Sequence, residues 1–258
     1  MDSGLVIGLV VLLVGFGAAW LVSLALRDAS VVDPLWGPAF AVVAWVYALT
    51  GEAPPARRWA VVGMVTLWGV RLGVHLWLRN HGVGEDFRYR AMRARAPRAF
   101  PWVSLVTVFW LQAAIAWMVS VPLWGALRPA RPTSLTALDL AGLAVFAVGL
   151  TIETVADLQL ARFRRDPSRR GTVLDGGLWR YSRHPNYFGD AVVWWGLWLP
   201  AAAVGAWWTA VGPALMTFLL VRVSGVALLE KTLARTKPQY REYVRRTSAF
   251  VPWPPRRG

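Results

Sequence analysis

Residues 177–190 read Gly-Leu-Trp-Arg-Tyr-Ser-Arg-His-Pro-Asn-Tyr-Phe-Gly-Asp and run directly into an apolar stretch at 191–203. Arg180, Arg183, His184 and Asn186 therefore lie where a membrane helix meets water, interleaved with Trp179, Tyr181 and Tyr187. A loop this cationic beside a segment this apolar belongs to an all-α chain threaded through a bilayer. Arginines recognise phosphate through planar, fork-shaped donors, and the aromatics offer flat faces for a ring. The combination suits a phosphorylated, ring-bearing ligand at a membrane surface. The plainer reading is a positive anchor with an interfacial aromatic belt.

The composition agrees with a membrane protein. Of 258 residues 56% are hydrophobic, 16% are charged and 17 are Trp. Several apolar runs approach the roughly 20 residues that cross a bilayer. The net charge of +14 does not point to nucleic acid, because the basic residues gather in the loops between apolar runs, as membrane orientation requires. With no cysteine, the chain has no disulfide, thiolate metal site, cysteine nucleophile or lipidated cysteine. Three histidines, His75, His81 and His184, argue against a histidine-rich metal centre, and none is expected. The first apolar run has neither a basic leader nor a small-x-small cleavage site, so it reads as a retained helix.

Apolar runs place seven transmembrane helices near residues 4–26, 35–50, 59–78, 101–124, 138–160, 187–204 and 207–229, forming one integral membrane domain over 1–258. Pro34, Pro54-Pro55, Pro129, Pro132 and Pro167 punctuate the connections. The sixth and seventh runs nearly touch, which demands a tight turn at 205–208. Six Arg lie in 79–100, seven in 161–186, and eight Lys or Arg from 230 onward; the opposite loops carry only Arg57, Arg58, Arg128 and Arg131. Basic loops stay cytoplasmic. The N-terminus is thus expected outside and the C-terminus in the cytoplasm, with all three basic segments on one face.

Ionisable residues at membrane depth are costly and usually line an interior. The third run holds Arg71 and His75, and the fifth holds Glu153 and Asp157, each pair at i, i+4 on a shared helix face. The structural alternative is mutual neutralisation, Arg71 against Glu153 or Asp157. Asp33 precedes Pro34 at the second run and reads either as a helix cap or as a functional acid. Glu230 closes the seventh run as an interfacial charge or as a partner for a cation of the loop at Arg180. In 82–90, Tyr89 stands among Glu85, Asp86, Arg88 and Arg90, a solvated basic loop or a hydroxyl aimed at a substrate. Neither a dinucleotide glycine fingerprint nor a Walker loop occurs, so any nucleotide must bind among membrane helices.

On Glu153-x-x-x-Asp157, Arg164, Asp175-Gly176-Gly177-Leu178, the run from Arg183 to Asp190, and Tyr240-x-x-Tyr243 leading to Phe250-Val251-Pro252, the chain resembles the bacterial branch of the steroid 5-alpha-reductase family. The resemblance implies seven helices in a bacterial inner membrane and cytoplasmic loops closing over NADPH. It also implies reduction of a carbon–carbon double bond conjugated to a carbonyl, in a lipophilic substrate entering from the membrane lipids. Carried over, Asn186 and Asp157 contact the nicotinamide nucleotide and Arg164 its phosphates. Glu153, Arg170, Arg180, Tyr181, Arg183, His184, Tyr187, Glu230 and Tyr240 complete the cofactor set. Asp33 looks like the acid that faces the substrate carbonyl. Two positions depart from the pattern: Glu153 stands where eukaryotic members tend to have Asn, and Trp68 stands near the catalytic Tyr. Trp donates a hydrogen bond but is no acid, which leaves Tyr89, His75 or Tyr47 as donors. The Arg183-His184-Pro185-x-Tyr187 run also resembles membrane methyltransferases of isoprenylcysteine or phospholipids, where it holds S-adenosylmethionine together with a downstream Glu, here Glu230. The continuation Asn186, Phe188-Gly189-Asp190 and the acid pair favour the reductase.

Overall fold

Helix α1 (Ser3–Leu26) buries Gly4, Gly8, Leu12, Phe16, Ala19 and Ser23, one residue per turn along a single stripe. Its other faces are just as apolar, with Val10, Val14 and Leu21 between half and two-thirds exposed. A helix apolar all round belongs in lipid. The computed structural model describes residues 2–223 and 240–256, and among these the regular structure is helical, apart from one isolated bridge between Ser182 and Ser248.

After α1, a 3-10 turn (Ala29–Leu35) leads into α2 (Trp36–Thr50), followed by α3 (Pro55–Asn80), α4 (Phe87–Arg95), α5 (Phe100–Val119) and α6 (Val121–Leu127). Then come α7 (Ala137–Arg165), α8 (Pro185–Ala203), α9 (Val211–Phe218) and α10 (Tyr240–Arg246). Among the described residues, five helices are long and apolar enough to cross a membrane: α1, the segment Ala29–Thr50, α3, α5 and α7. The 19-residue α8 occupies the sixth apolar run. The seventh run begins as a 3-10 turn (Trp207–Ala210), α9 and a π-helical turn (Leu219–Val223). Its remainder, with Glu230, lies outside the described residues.

Several boundaries differ from the sequence expectation for local reasons. The fourth run is two helices, because Pro122 lacks the N–H that would continue the ladder and Ser120 closes the first helix on Ala116 O. α7 runs on to Arg165, since Arg162, Arg164 and Arg165 are helix formers whose charge suits a C-terminus. Within the basic loop 79–100, Asp86 accepts from Arg88 N at 2.9 Å and starts α4. Between α8 and the 3-10 turn, Gly205 supplies the left-handed conformation of the tight turn, at φ 82°.

The chain forms two compact units, residues 1–139 with 200–209, and residues 140–199 with 210–258. In the first, α2 and α3 touch backbone to backbone: a Cβ on Gly37 or Gly69 would overlap the other's carbonyl. Small residues at such crossings substitute close packing for a hydrophobic drive that lipid does not supply. Indole N–H groups add ties, Trp20 to Pro101 O at 2.8 Å and Trp117 to Leu5 O at 2.9 Å. The Arg57 side chain is 1% exposed and grips Asp139 (3% exposed) with both arms of its fork, at 2.8 and 2.9 Å. Thr136 N and Oγ1 also donate to Asp139, so every atom of that buried carboxylate is matched. In the second unit, α7 and α8 cross on glycines: a Cβ on Gly149 would sit 2.6 Å from Val193 N, and one on Gly196 2.6 Å from Phe146 N.

Gly69→Ala forces the α2 and α3 backbones apart and should cost about 1–3 kcal/mol, lowering the melting temperature in detergent by several degrees. Gly63→Ala, on the same helix with nothing within 4 Å of the new Cβ, should be neutral or stabilising by up to ~1 kcal/mol. Equal melting temperatures for the two variants would contradict the close-contact account.

Candidate functional site

The α7–α8 crossing places the acid pair. Gly189 lies so close to α7 that a Cβ there would stand 2.5 Å from Glu153 N. Glu153 is 3% exposed and Asp157, one turn on, 5%. In the first turn of α8, Asn186 Nδ2 donates to Asp157 Oδ1 at 3.1 Å. Asn186 Oδ1 is buried and accepts no hydrogen bond among the described residues. A buried acceptor left in this state asks for a donor. Arg164 falls on the same face of α7 as Glu153 and Asp157, two turns beyond Asp157, where the helix becomes exposed.

The loop before α8 is held on α7 through its own N–H donors. Leu178 N donates to Gln159 Oε1 at 3.0 Å, and Trp179 Nε1 to Ala156 O at 3.1 Å, which pins the loop on α7. Gly177 (φ 59°) turns the chain against the Gln159 side chain. His184 is buried with its ring stacked on Tyr187, centroids 5.7 Å apart at 8°. Arg183 is turned inward: its Nη1 donates to Val244 O at 3.0 Å and Thr247 O at 2.7 Å. That nitrogen clasps the C-terminal strap 247–256, whose strand-like start pairs through Arg183 N and Ser248 O at 2.8 Å. Ser182 Oγ donates to Phe250 O, Trp253 N to Tyr181 O, and Tyr243 OH to Trp179 O. Tyr240 is buried beside Tyr243, while Tyr181, Arg170 and Arg180 are exposed. Burial pushes the Tyr243 phenol above its usual range.

A second polar cluster lies in the first unit. Tyr89 OH donates to Asp33 Oδ1 at 2.9 Å, and Arg88 Nη2 to Asp33 Oδ2 at 3.3 Å. Tyr89 is 5% exposed. Burial, then the adjoining charge of Asp33, pushes its phenol well above the ordinary value, so the hydroxyl keeps its proton. Gln112 of α5 exerts a smaller, opposing influence on the same phenol. Asp33 is not the cap of α2. Asp28 caps the 3-10 turn through Ser30 N, Pro34 lies within that turn, and α2 begins at Trp36 with Leu35 at its N-cap and no side-chain cap. Of the other donors named from sequence, Tyr47 is fully buried with its hydroxyl on Ser120 Oγ at 3.1 Å, and His75 is half-buried one turn past Arg71. Trp68 is wholly buried, edge-on to Phe40.

Sequence reasoning missed Gln112, and its signal was an amide within an apolar span. The π-helical turn Leu105–Trp110 immediately precedes it, and such turns re-aim side chains and recur at functional sites. Among the described residues no group of His, Asp and Glu is arranged to hold a metal.

The loop between α3 and α4 is fastened over the 3-10 turn by Glu85, which accepts from Ala29 N at 2.9 Å and from Arg93 at 2.7 Å. Asp86 N donates to Ser30 Oγ at 2.7 Å. Burial opposes the Glu85 charge, but these donors outweigh it and hold its carboxyl below the ordinary 4.5. A depressed folded pKa stabilises above the unfolded value and is lost as pH falls through the folded one. Amide-exchange protection at 82–90 should therefore be constant from pH 7 to 5 and fall below about pH 4. Glu85→Gln should show reduced protection already at neutral pH and lose that acid step. An unchanged pH profile in Glu85→Gln would show that another group fastens the loop.

A family profile described as "Protein of unknown function (DUF1295)" matches residues 19–247. An uncharacterised protein of Schizosaccharomyces pombe is 25% identical over 281 residues, covering 96% of this chain and 79% of its own length. A Delta(14)-sterol reductase of Methylotuvimicrobium alcaliphilum is 34% identical over 96 residues, 32% of this chain and 19% of that protein. A probable O-methyltransferase of Ustilaginoidea virens is 41% identical over 46 residues, 18% of this chain and 16% of that protein. No solved structure matches.

Proposed function

The chain belongs to the DUF1295 family, and from that footing we propose that it is an NADPH-dependent membrane reductase acting on the C=C bond of a conjugated enone in a lipophilic substrate, steroid-like or another lipid. The observation that carries the reading is the buried acid pair Glu153 and Asp157 with Asn186 beside it, whose buried amide oxygen meets no donor among the described residues. A nicotinamide carboxamide brings such a donor. The exposed arginines that follow on α7 and the next loop, Arg162, Arg164, Arg169 and Arg170, suit a diphosphate and a 2′-phosphate. The match to a sterol reductase supports the same class. In this reading all seven apolar runs span the bacterial inner membrane, with the N-terminus outside and the C-terminus in the cytoplasm, as the arginine distribution requires.

NADPH, when bound, supplies the hydride that adds to the β-carbon of the enone. The residues of this chain position and polarise. Asn186 and Asp157 orient the carboxamide, and the α7 arginines neutralise phosphate. The π bond breaks, a proton is taken up at the α-carbon, and negative charge gathers on the carbonyl oxygen in between. By its chemistry Tyr89, which keeps its proton and is held by Asp33, is the residue suited to donate to such an oxygen; His75 is the alternative donor.

A second reading has its own support. The Arg183-His184-Pro185-x-Tyr187 run and the match to a probable O-methyltransferase suit transfer of a methyl group from S-adenosylmethionine to a membrane lipid or an isoprenylcysteine. That cofactor carries no phosphate, so the reading leaves the α7 arginines without a role.

NADPH oxidation driven by an enone, with 3-oxo-4-ene steroids as first substrates, tests the reductase. Asn186→Ala should raise the KM for NADPH about tenfold, the worth of one buried hydrogen bond to a ligand. Tyr89→Phe should lower kcat on the order of a hundredfold and leave that KM nearly unchanged, as loss of a transition-state donor does. Asp33→Asn should fall in the same direction. Methylation of a lipid acceptor by S-adenosylmethionine, with no enone-dependent NADPH oxidation, would move the case to the second reading.

A further inference from the structure

We propose that the cavity beneath the C-terminal strap is a binding site for the phosphate of an anionic phospholipid headgroup. Its volume is about 290 Å³, and Arg183, Arg245, Arg246 and Arg256 line it together with Thr247, Ser248 and Trp253. No acidic side chain is in the lining. Asp175 pairs with Arg246 and Glu242 with Arg245 from outside, so four guanidinium groups meet two carboxylates and the cavity keeps a net positive charge. Planar guanidinium forks and neighbouring hydroxyls are the chemistry that recognises phosphate oxygens.

The walls are fixed rather than assembled on binding. The strap is held by Arg183 N to Ser248 O, Trp253 N to Tyr181 O and Arg256 N to Arg246 O at 2.8, 2.9 and 3.0 Å, and by the Arg183 clasp on Val244 and Thr247. A site held open in this way loses little entropy when a ligand enters.

Position and apolar surface point to a lipid rather than a soluble anion. The strap rests on the first turn of α8, Phe250 edge-on to Phe188 at 5.8 Å, where the apolar helix begins. Val251 and Trp253 stand 55% and 69% exposed beside the arginines. Exposed Trp next to cationic side chains at a helix end is the signature of the headgroup layer, and clustered Arg adjoining a membrane helix attracts anionic lipid. The same tail thus offers an apolar anchor and a phosphate clamp within one short strap.

The test uses the full chain in neutral detergent, titrated with short-chain phosphatidylglycerol, short-chain phosphatidylcholine or inorganic phosphate, with binding read by thermophoresis. Phosphatidylglycerol should bind, phosphatidylcholine and inorganic phosphate much more weakly. Arg256→Gln should weaken phosphatidylglycerol about fivefold and Arg245→Gln/Arg256→Gln about twenty-five-fold, a factor of about five per surface arginine, while melting temperature without lipid stays near that of the parent. Arg256→Gln serves as the readout if the double variant folds poorly. Unchanged affinity in Arg256→Gln or equal binding of phosphatidylcholine would overturn the proposal. Equal binding of inorganic phosphate would reassign the cavity to a free anion, and displacement of phosphatidylglycerol by NADPH would reassign it to the nucleotide.

Discussion

The backbone contact between α7 and α8 is the constraint on which the second unit depends. Gly149, Gly189 and Gly196 leave no room for a Cβ between the two helices. In lipid, packing of this kind is a principal source of helix association, because the surrounding tails are as apolar as the side chains. It fixes where Glu153 and Asp157 face the first turn of α8 and so sets the Asn186–Asp157 hydrogen bond. The loop 177–184 then has one place to go, pinned on α7 by Gln159 and Ala156 O and on the strap by Arg183. A shift of one helix along the other would break each of these together.

Charge within the first unit follows a different logic. The Arg57–Asp139 pair is fully hydrogen-bonded, and truncating one partner would leave the other charge buried alone, a loss of about 3–5 kcal/mol. It is a fastening, with no exposed atom for a ligand to reach. The Asp33–Tyr89 pair differs because its phenol stays neutral and because Arg88 and Asp33 keep partly exposed side chains.

Much of this was legible in the sequence, and the remainder was hidden for physical reasons. The apolar runs gave the helices, and the i, i+4 spacing alone puts Glu153 and Asp157 on one helix face. Asp33 and Tyr89 were each named, but 56 residues separate them and no local pattern pairs them. Arg183 reads as a phosphate ligand by residue type, yet the strap that occupies its Nη1 begins 64 residues on. Helix α4 was obscured by its charge, although Asp86 ahead of Phe87 was a capping signal. Likewise Thr136 and Asp139 formed a helix-start signal that the apolar count alone passed over, and with it the partner of Arg57.

The central claim is that the amide and acid of α8 and α7 hold a nicotinamide nucleotide. Thermal melting of the detergent-solubilised parent and Asn186→Ala, each with saturating NADPH or S-adenosylmethionine, tests it most directly, since a ligand that binds only the folded state stabilises by RT ln(1 + [L]/Kd). The account predicts a rise of several degrees with NADPH in the parent, a clearly smaller one in Asn186→Ala, and none with S-adenosylmethionine. Stabilisation by S-adenosylmethionine with no response to NADPH would contradict it.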